Sequence, residues 1–202
     1  MYWGRGDVLE RARAAKADGF AHIDPLIDVD PATLALPVGC PTAYPKPVDT
    51  WCSTPAPSAE LDGAWERAVR WWRAAPHALL EPWTGAIVNS LESVLAFRAE
   101  VPTVRLLVDT GHVACWGGDP CELLEFADHI QLRQGKPGNT QLHADDSSGV
   151  VDFDALFRRL DALGYHGKLS VEYFDLPERG WPLEDPEAWA RDLAARLHAT
   201  AS

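Results

Sequence analysis

The sequence predicts an α/β fold in which a parallel sheet curls into a (β/α) barrel of six to seven strands, short or incomplete on its amino-terminal side. Two observations carry this expectation. Short apolar runs alternate with amphipathic helical patterns along most of the 202 residues, and strict strand–helix alternation yields a parallel sheet. Four runs also stop at an oxygen-bearing side chain: His77–Glu81, Val104–Asp109, His129–Gln131 and Lys168–Glu172. A buried strand that stops this way carries its last side chain at its carboxyl end, where a closed sheet would gather all four on one rim.

Taken in order, Asp7 with Glu10 three residues on opens a helix over 7–18, and Gly19 stops it ahead of a strand over 20–24. A turn or short helix near 30–34 precedes a strand over 36–40. Pro41–Pro57 holds five prolines and reads as irregular, in the place of a further strand–helix unit. Leu61, Trp65, Val69 and Trp72 share one face of a helix over 58–75, followed by strand 78–81. Asn89 with Glu92 opens helix 89–98, strand 104–109 follows, and Asp119-Pro120 with Glu122 opens helix 119–127 before strand 128–133. Phe153, Leu156, Phe157, Leu160 and Leu163 line helix 152–163, closed by Gly164; strand 168–173 and a helix over 186–199, opened by Asp185-Pro186, complete the series. Met1–Gly4 is a candidate seventh strand. A full barrel has eight strands and typically about 250 residues, hence the gap expected on the amino-terminal side. A doubly wound open sheet is the competing architecture, but no G-x-G-x-x-G follows a first strand.

Apolar residues make up 47% of the chain, enough for a large core, and residues 1–202 read as one domain. Lys and Arg number 18 against 30 Asp and Glu, a net charge of −12 that opposes binding to a phosphate backbone, so no nucleic acid is expected as partner. No stretch approaches the ~20 apolar residues that span a bilayer, so no membrane is expected and the chain reads as cytoplasmic. A homo-oligomer stays open. Cys40, Cys52, Cys115 and Cys121 form no C-x-x-C pair, and reduced thiols suit them better than two disulfides.

Glu81, Asp109, Gln131 and Glu172 together put three carboxylates and one amide oxygen on a single rim, an arrangement that calls for a cation between them. Such an oxygen-rich set favours Mn²⁺ or Mg²⁺, with Zn²⁺ or Co²⁺ still allowed. Arg133, Gln141 and His143 follow the strand that ends at Gln131 and have the chemistry to bind a carboxylate, phosphate or hydroxyl; Lys136 reads as a solvated loop charge. Nine tryptophans is a high count. Trp83 and Trp181 fall beside the rim, where an indole face suits the apolar C–H surface of a sugar, with packing under loops as the alternative. Trp181 lies between Gly180 and Pro182 in the loop 175–184, a candidate water-excluding cover.

At Leu107-Val108-Asp109-Thr110-Gly111-His112 the pattern becomes specific. With Asp128-His129-Ile130-Gln131-Leu132, Gly149-Val150-Val151-Asp152-Phe153, Leu163-Gly164-Tyr165-His166-Gly167 and Leu169-Ser170-Val171-Glu172-Tyr173, the chain resembles the sugar phosphate isomerase/epimerase family, the xylose-isomerase-like or AP-endonuclease-family-2 TIM barrels. The likeness is close over residues 77–175 and loose elsewhere. It implies a TIM-barrel-like fold in which Glu81, Asp109, Gln131 and Glu172 hold one divalent metal. Gln131 stands where many members carry His and hydroxypyruvate-isomerase-like members carry Gln. The resemblance further implies that His112 touches substrate or completes the metal shell, and that Glu81 and Glu172 act as the proton-shuttling pair of a sugar isomerase or epimerase. Dehydration of an inosose-like or dehydroshikimate-like ring, and a non-catalytic metabolite-binding barrel, are the competing expectations.

Overall fold

The computed structural model describes residues 2–3, 7–43, 50–177 and 180–200. Its centre is a parallel sheet of β2 (Cys52–Pro55), β3 (Ala78–Glu81), β4 (Leu106–Asp109), β5 (Ala127–Leu132) and β8 (Leu169–Val171), hydrogen-bonded in that order. β1 (Tyr2–Trp3) pairs in parallel with β9 (Tyr173–Phe174), the continuation of β8, so part of the candidate seventh strand forms; Met1 and Gly4 lie outside the described residues. Helices α1 (Val8–Ala17), α2 (Ala64–Ala74), α3 (Leu91–Glu100), α4 (Thr110–Cys115), α5 (Phe153–Leu163) and α6 (Pro186–Thr200) complete the α/β alternation.

The strands expected over 20–24 and 36–40 appear as single parallel bridges, Ile23 to Val38 and Leu26 to Thr42. Pro25, Pro37 and Pro41 explain why. Proline has no N–H to give a ladder, so here proline carbonyls only accept: Ile23 N donates to Pro37 O at 3.0 Å, Thr42 N to Pro25 O at 2.9 Å and Ser53 N to Pro41 O at 2.8 Å. A bridge from Thr42 to Ser53 then links this side to β2. Among the described residues no pairing joins β1 to the Ile23 segment, so the barrel does not close by hydrogen bonds.

Three local expectations are corrected. Four residues inside the supposedly irregular 41–57 stretch form β2, paired in full register with β3 from Cys52–Ala78 to Pro55–Glu81. Ser53 and Thr54 are buried polar residues, so no apolar run announced it. The helix expected over 58–75 starts only at Ala64, because Ser58 pairs with Ala86 and Pro57 O accepts from Ile87 N. The helix expected over 119–127 is two 3₁₀ turns, Pro120–Glu122 and Leu124–Phe126; α4 instead begins directly at the end of β4. Caps follow the sequence at Asp7 and Asp185, Asp152 caps α5, and α3 is opened by a Ser90–Ser93 capping box rather than by Asn89. An unforeseen hairpin, β6 (Gln134–Lys136) with β7 (Asn139–Leu142), turns at Pro137-Gly138 and packs on α4.

Inside the barrel, Cys40 is a buried core residue packed with Leu79 and Leu107. All four cysteines are free. Beside this layer lies a polar knot. His129 Nε2 is 2.8 Å from Asp24 Oδ2 and 3.2 Å from Ser170 Oγ, Cys40 N donates to Asp24 Oδ1 at 2.7 Å, and His22 Nε2 reaches Ser170 Oγ at 2.9 Å. These bonds tie the proline-interrupted side to β5 and β8, where ladder bonds are few.

Burial raises the cost of charging Asp24, yet the bonds from His129 outweigh it and hold the carboxyl below its usual range. A depressed folded-state value means stability that is complete above the unfolded value of about 3.9 and lost as pH falls through the lower folded one. Asp24→Asn keeps an acceptor but loses that charge, and is expected to lower the melting temperature by roughly 3–10 °C at neutral pH. In melts across a pH series, the gap between wild type and variant should persist down to pH ~4 and close below it. A gap independent of pH would remove the ionised carboxylate from the account.

Candidate metal centre

β4 delivers Asp109 to the carboxyl rim, and α4 starts on the next residue. Asp109 caps that helix, its Oδ1 accepting from Gly111 N at 2.8 Å and His112 N at 3.1 Å. This is why His112, three residues on, turns back over the same rim. Ligand atoms of Glu81, Asp109 and His112 lie within 4.8 Å of one another. Gln131 stands beside Asp109 in the β4–β5 ladder, and its buried Oε1 has no hydrogen-bond partner among the described residues. The Glu172 carboxyl is within hydrogen-bonding reach of Asp109. In sheet order Glu81 and Glu172 therefore flank Asp109 and Gln131.

Arg133 takes a place that its reading as a substrate contact did not anticipate. Fully buried, it donates from Nε to Asp109 Oδ1 at 3.0 Å and from Nη2 to Asp109 Oδ2, a forked ion pair. Its backbone is pinned by Thr110, whose hydroxyl donates to Arg133 O at 2.7 Å and accepts from Arg133 N at 2.9 Å. Gly111 makes the room: a Cβ there would stand 2.1 Å from Thr140 O and 2.5 Å from Arg133 Nε.

The electrostatics follow from this crowding. Glu81 keeps a partial solvent edge, but desolvation, reinforced by the Asp109 charge, lifts it to about 8. Burial and the same neighbour push Glu172 well above the carboxylate range. Asp109 goes the other way, because Arg133 outweighs the cost of burying its charge. Burial drops His112 to about 4, leaving its imidazole neutral at physiological pH, and its Nδ1 has no hydrogen-bond partner among the described residues. A neutral imidazole, a lone amide oxygen and clustered carboxylates make a donor set that suits a divalent cation.

Aromatic rings wall the site. The Arg133 guanidinium lies 4.4 Å over Phe174, Phe174 stacks on Trp181 at 5.7 Å, Trp181 meets His112 at 5.9 Å, and His112 meets Trp83 at 6.4 Å. Trp181 is held there by backbone bonds of 2.8 and 3.1 Å exchanged with Leu176. Trp83 donates its indole N–H to Ala56 O at 2.7 Å.

Two expected substrate contacts are engaged elsewhere. Gln141 spends its amide on Phe174, donating to its carbonyl at 3.0 Å and accepting from its N–H at 3.1 Å, so it extends the sheet rather than faces a ligand. His143 pairs with Asp192 at 3.0 Å and packs on Trp189, both on α6. Neither joins the group around Asp109. Phe174, by contrast, was missed, although it ends the run that contains Glu172 and alternation puts it on the same face.

Residues 48–199, well over half of the chain, match the xylose isomerase-like TIM barrel family. The chain belongs to that family. No curated protein matches it in sequence. Among solved structures it is similar to the apo form of 3-keto-D-glucoside 4-epimerase from E. coli, at TM-score 0.68 and 18% identity over 98% of each chain. It is also similar to a xylose isomerase-like TIM barrel protein from Mycobacterium smegmatis in complex with magnesium, at 0.66 and 15% over 95% of this chain and 87% of that one. A third likeness is to the probable 3-DHS dehydratase of petrobactin synthesis from Bacillus anthracis, at 0.64 and 12% over 100% and 99%. At these identities the solved structures corroborate the fold of this xylose isomerase-like barrel. No helix among its described residues is long and apolar enough to cross a membrane.

Gly111→Ala tests the packing that builds the rim. The added methyl must push against a backbone oxygen, which cannot swing away as a side chain can. Overpacking of this kind costs ~1–3 kcal/mol, and the melting temperature is expected to fall by roughly 2–12 °C. Thermal denaturation at unchanged temperature would show that the β6–β7 hairpin yields freely.

Proposed function

We propose that this barrel is a divalent-metal-dependent isomerase or epimerase acting on a sugar or a related polyhydroxy carbonyl compound. The observation that carries the reading is the placement of Glu81 and Glu172 on either side of Asp109 and Gln131 at the carboxyl rim, beneath an aromatic wall. Glu81, Asp109, Gln131 and Glu172 would hold the ion, with His112 close enough to complete the shell or touch substrate. Mn²⁺ or Mg²⁺ suits these oxygens best, and a structurally similar barrel is described in complex with magnesium. When bound, the ion supplies Lewis-acid stabilisation of negative charge on the carbonyl and hydroxyl oxygens of the substrate.

The chain's own groups do the rest. One glutamate carboxylate takes the proton from carbon next to the carbonyl, and the carboxylic acid opposite returns a proton to the neighbouring carbon or to the other face of the same carbon. Trp83 and Trp181 offer flat faces to the apolar side of a sugar and exclude water from the charged intermediate. The second reading is a lyase, in which the same proton removal expels a β-hydroxyl; the likeness to a dehydratase favours it as the alternative. Deuterium exchange into substrate C–H bonds followed by NMR, across a panel of keto-sugars and inososes, separates the readings. Exchange without loss of water supports the isomerase or epimerase, a conjugated enone supports the lyase, and binding with neither leaves a metabolite-binding barrel.

Replacing Glu81 or Glu172 by Gln preserves shape and an oxygen ligand but removes the ability to take a proton. Turnover is expected to fall by about 10²–10⁴-fold, the ordinary worth of general acid–base catalysis, with a much smaller loss of bound metal. Asp109→Ala should lose metal and activity together. Metal analysis of the purified variants alongside initial rates checks this. Equal metal loss in all three would reduce the glutamates to ligands, and full activity in either Gln variant would sink the mechanism.

A further inference from the structure

We propose that Arg133 is a resident cation that competes with the divalent ion for Asp109, so that metal loading exchanges one arm of the guanidinium fork for the ion. The proposal rests on the metal-site reading above and adds a control on how the site fills.

A carboxylate offers about four acceptor positions. On Asp109, Oδ1 is held by Gly111 N, His112 N and Arg133 Nε, Oδ2 receives Arg133 Nη2, and the Glu172 carboxyl also lies within hydrogen-bonding reach. The two backbone donors belong to the first turn of α4 and cannot leave without unwinding it. The Glu172 contact and the fork can, and of the two only the fork carries positive charge. Arg133 itself has little freedom, since Thr110 pins its backbone on both sides and Phe174 lies under its guanidinium at 4.4 Å. The exchange is therefore small: Nη2 gives up Oδ2 to the ion while Nε keeps Oδ1. Nη1 stands outside the fork, buried and without a hydrogen-bond partner among the described residues.

The arrangement also sets a positive charge among the carboxyl groups of Glu81, Asp109 and Glu172, which share one rim. The guanidinium supplies the positive charge that the ion would otherwise bring. A residue placed only for packing would have no reason to direct two donors onto a metal-ligand carboxylate.

The test is calorimetric titration of Mn²⁺ into metal-stripped wild type, Arg133→Met and Arg133→Lys, with melting temperatures of each protein with and without saturating Mn²⁺. Loss of a charge-assisted fork is worth about 10–100-fold in affinity, so Arg133→Met should bind Mn²⁺ that much more tightly. Arg133→Lys, which keeps the charge but has one donor nitrogen in place of the fork, should fall between. Metal-free Arg133→Met should melt well below wild type, and Mn²⁺ should close most of that gap. If Arg133→Met fails to fold, the lysine variant alone decides the matter. Wild-type affinity in Arg133→Lys would leave charge repulsion in place of exchange and overturn the proposal. So would a melting deficit in Arg133→Met that Mn²⁺ does not repair. Absence of Mn²⁺ binding in wild type and both variants would instead overturn the metal-site reading itself.

Discussion

Carboxyl groups crowded on a buried rim need positive charge or protons between them, and most of the carboxyl end of this barrel answers to that need. Asp109 is fully buried and remains ionised because Arg133 grips both of its oxygens and the first turn of α4 adds two N–H donors. Satisfying Arg133 in turn fixes its surroundings. Thr110 holds its backbone, Phe174 carries its guanidinium, and Gln141 locks Phe174 by pairing with both of its peptide groups. The β6–β7 hairpin is the part of the fold that brings Thr140 and Gln141 into this shell. The positions of the rim side chains therefore depend on residues that lie behind them.

The carboxyl half of the barrel was legible in the sequence because its strands are apolar runs with a polar stop. Periodicity found β3, β4, β5 and β8, and the polar stops located Glu81, Asp109, Gln131 and Glu172 on one edge of the sheet. The amino-terminal side was harder for a physical reason. Its segments are broken by Pro25, Pro37 and Pro41, and β2 is built from Cys52, Ser53, Thr54 and Pro55, in which two polar side chains are buried, that of Ser53 through a hydrogen bond with Thr42. Hydropathy carries no signal when burial is achieved that way. Arg133, Gln141 and His143 show a different limit. All three carry chemistry that suits a ligand, but only three-dimensional contacts reveal that Gln141 serves Phe174 and His143 serves α6, while Arg133 alone remains at the site.

Two buried carboxylates in the barrel meet the same problem with different means. Around Asp24, one carboxylate is matched by the imidazole of His129 and the N–H of Cys40, and the group staples strands that have few ladder bonds. Around Asp109 the carboxyl groups outnumber the positive charge at hand, which leaves Glu81 and Glu172 with raised affinity for protons. In the first arrangement both carboxylate oxygens are engaged, by Cys40 N and by His129 Nε2. The second is left with unspent demand for positive charge or protons.

Gly111 has a consequence for how this chain can drift. A side chain there is blocked twice, by Arg133 and by the carbonyl of Thr140. A shorter residue at 133 would lift only the first obstacle, so it would not by itself license a change at 111. Moving the hairpin to lift the second would carry Gln141 with it and unseat Phe174. Because that second obstacle is backbone, no replacement at 133 or 140 removes it, and glycine at 111 is bound to the path of the hairpin rather than to the identity of any one neighbour.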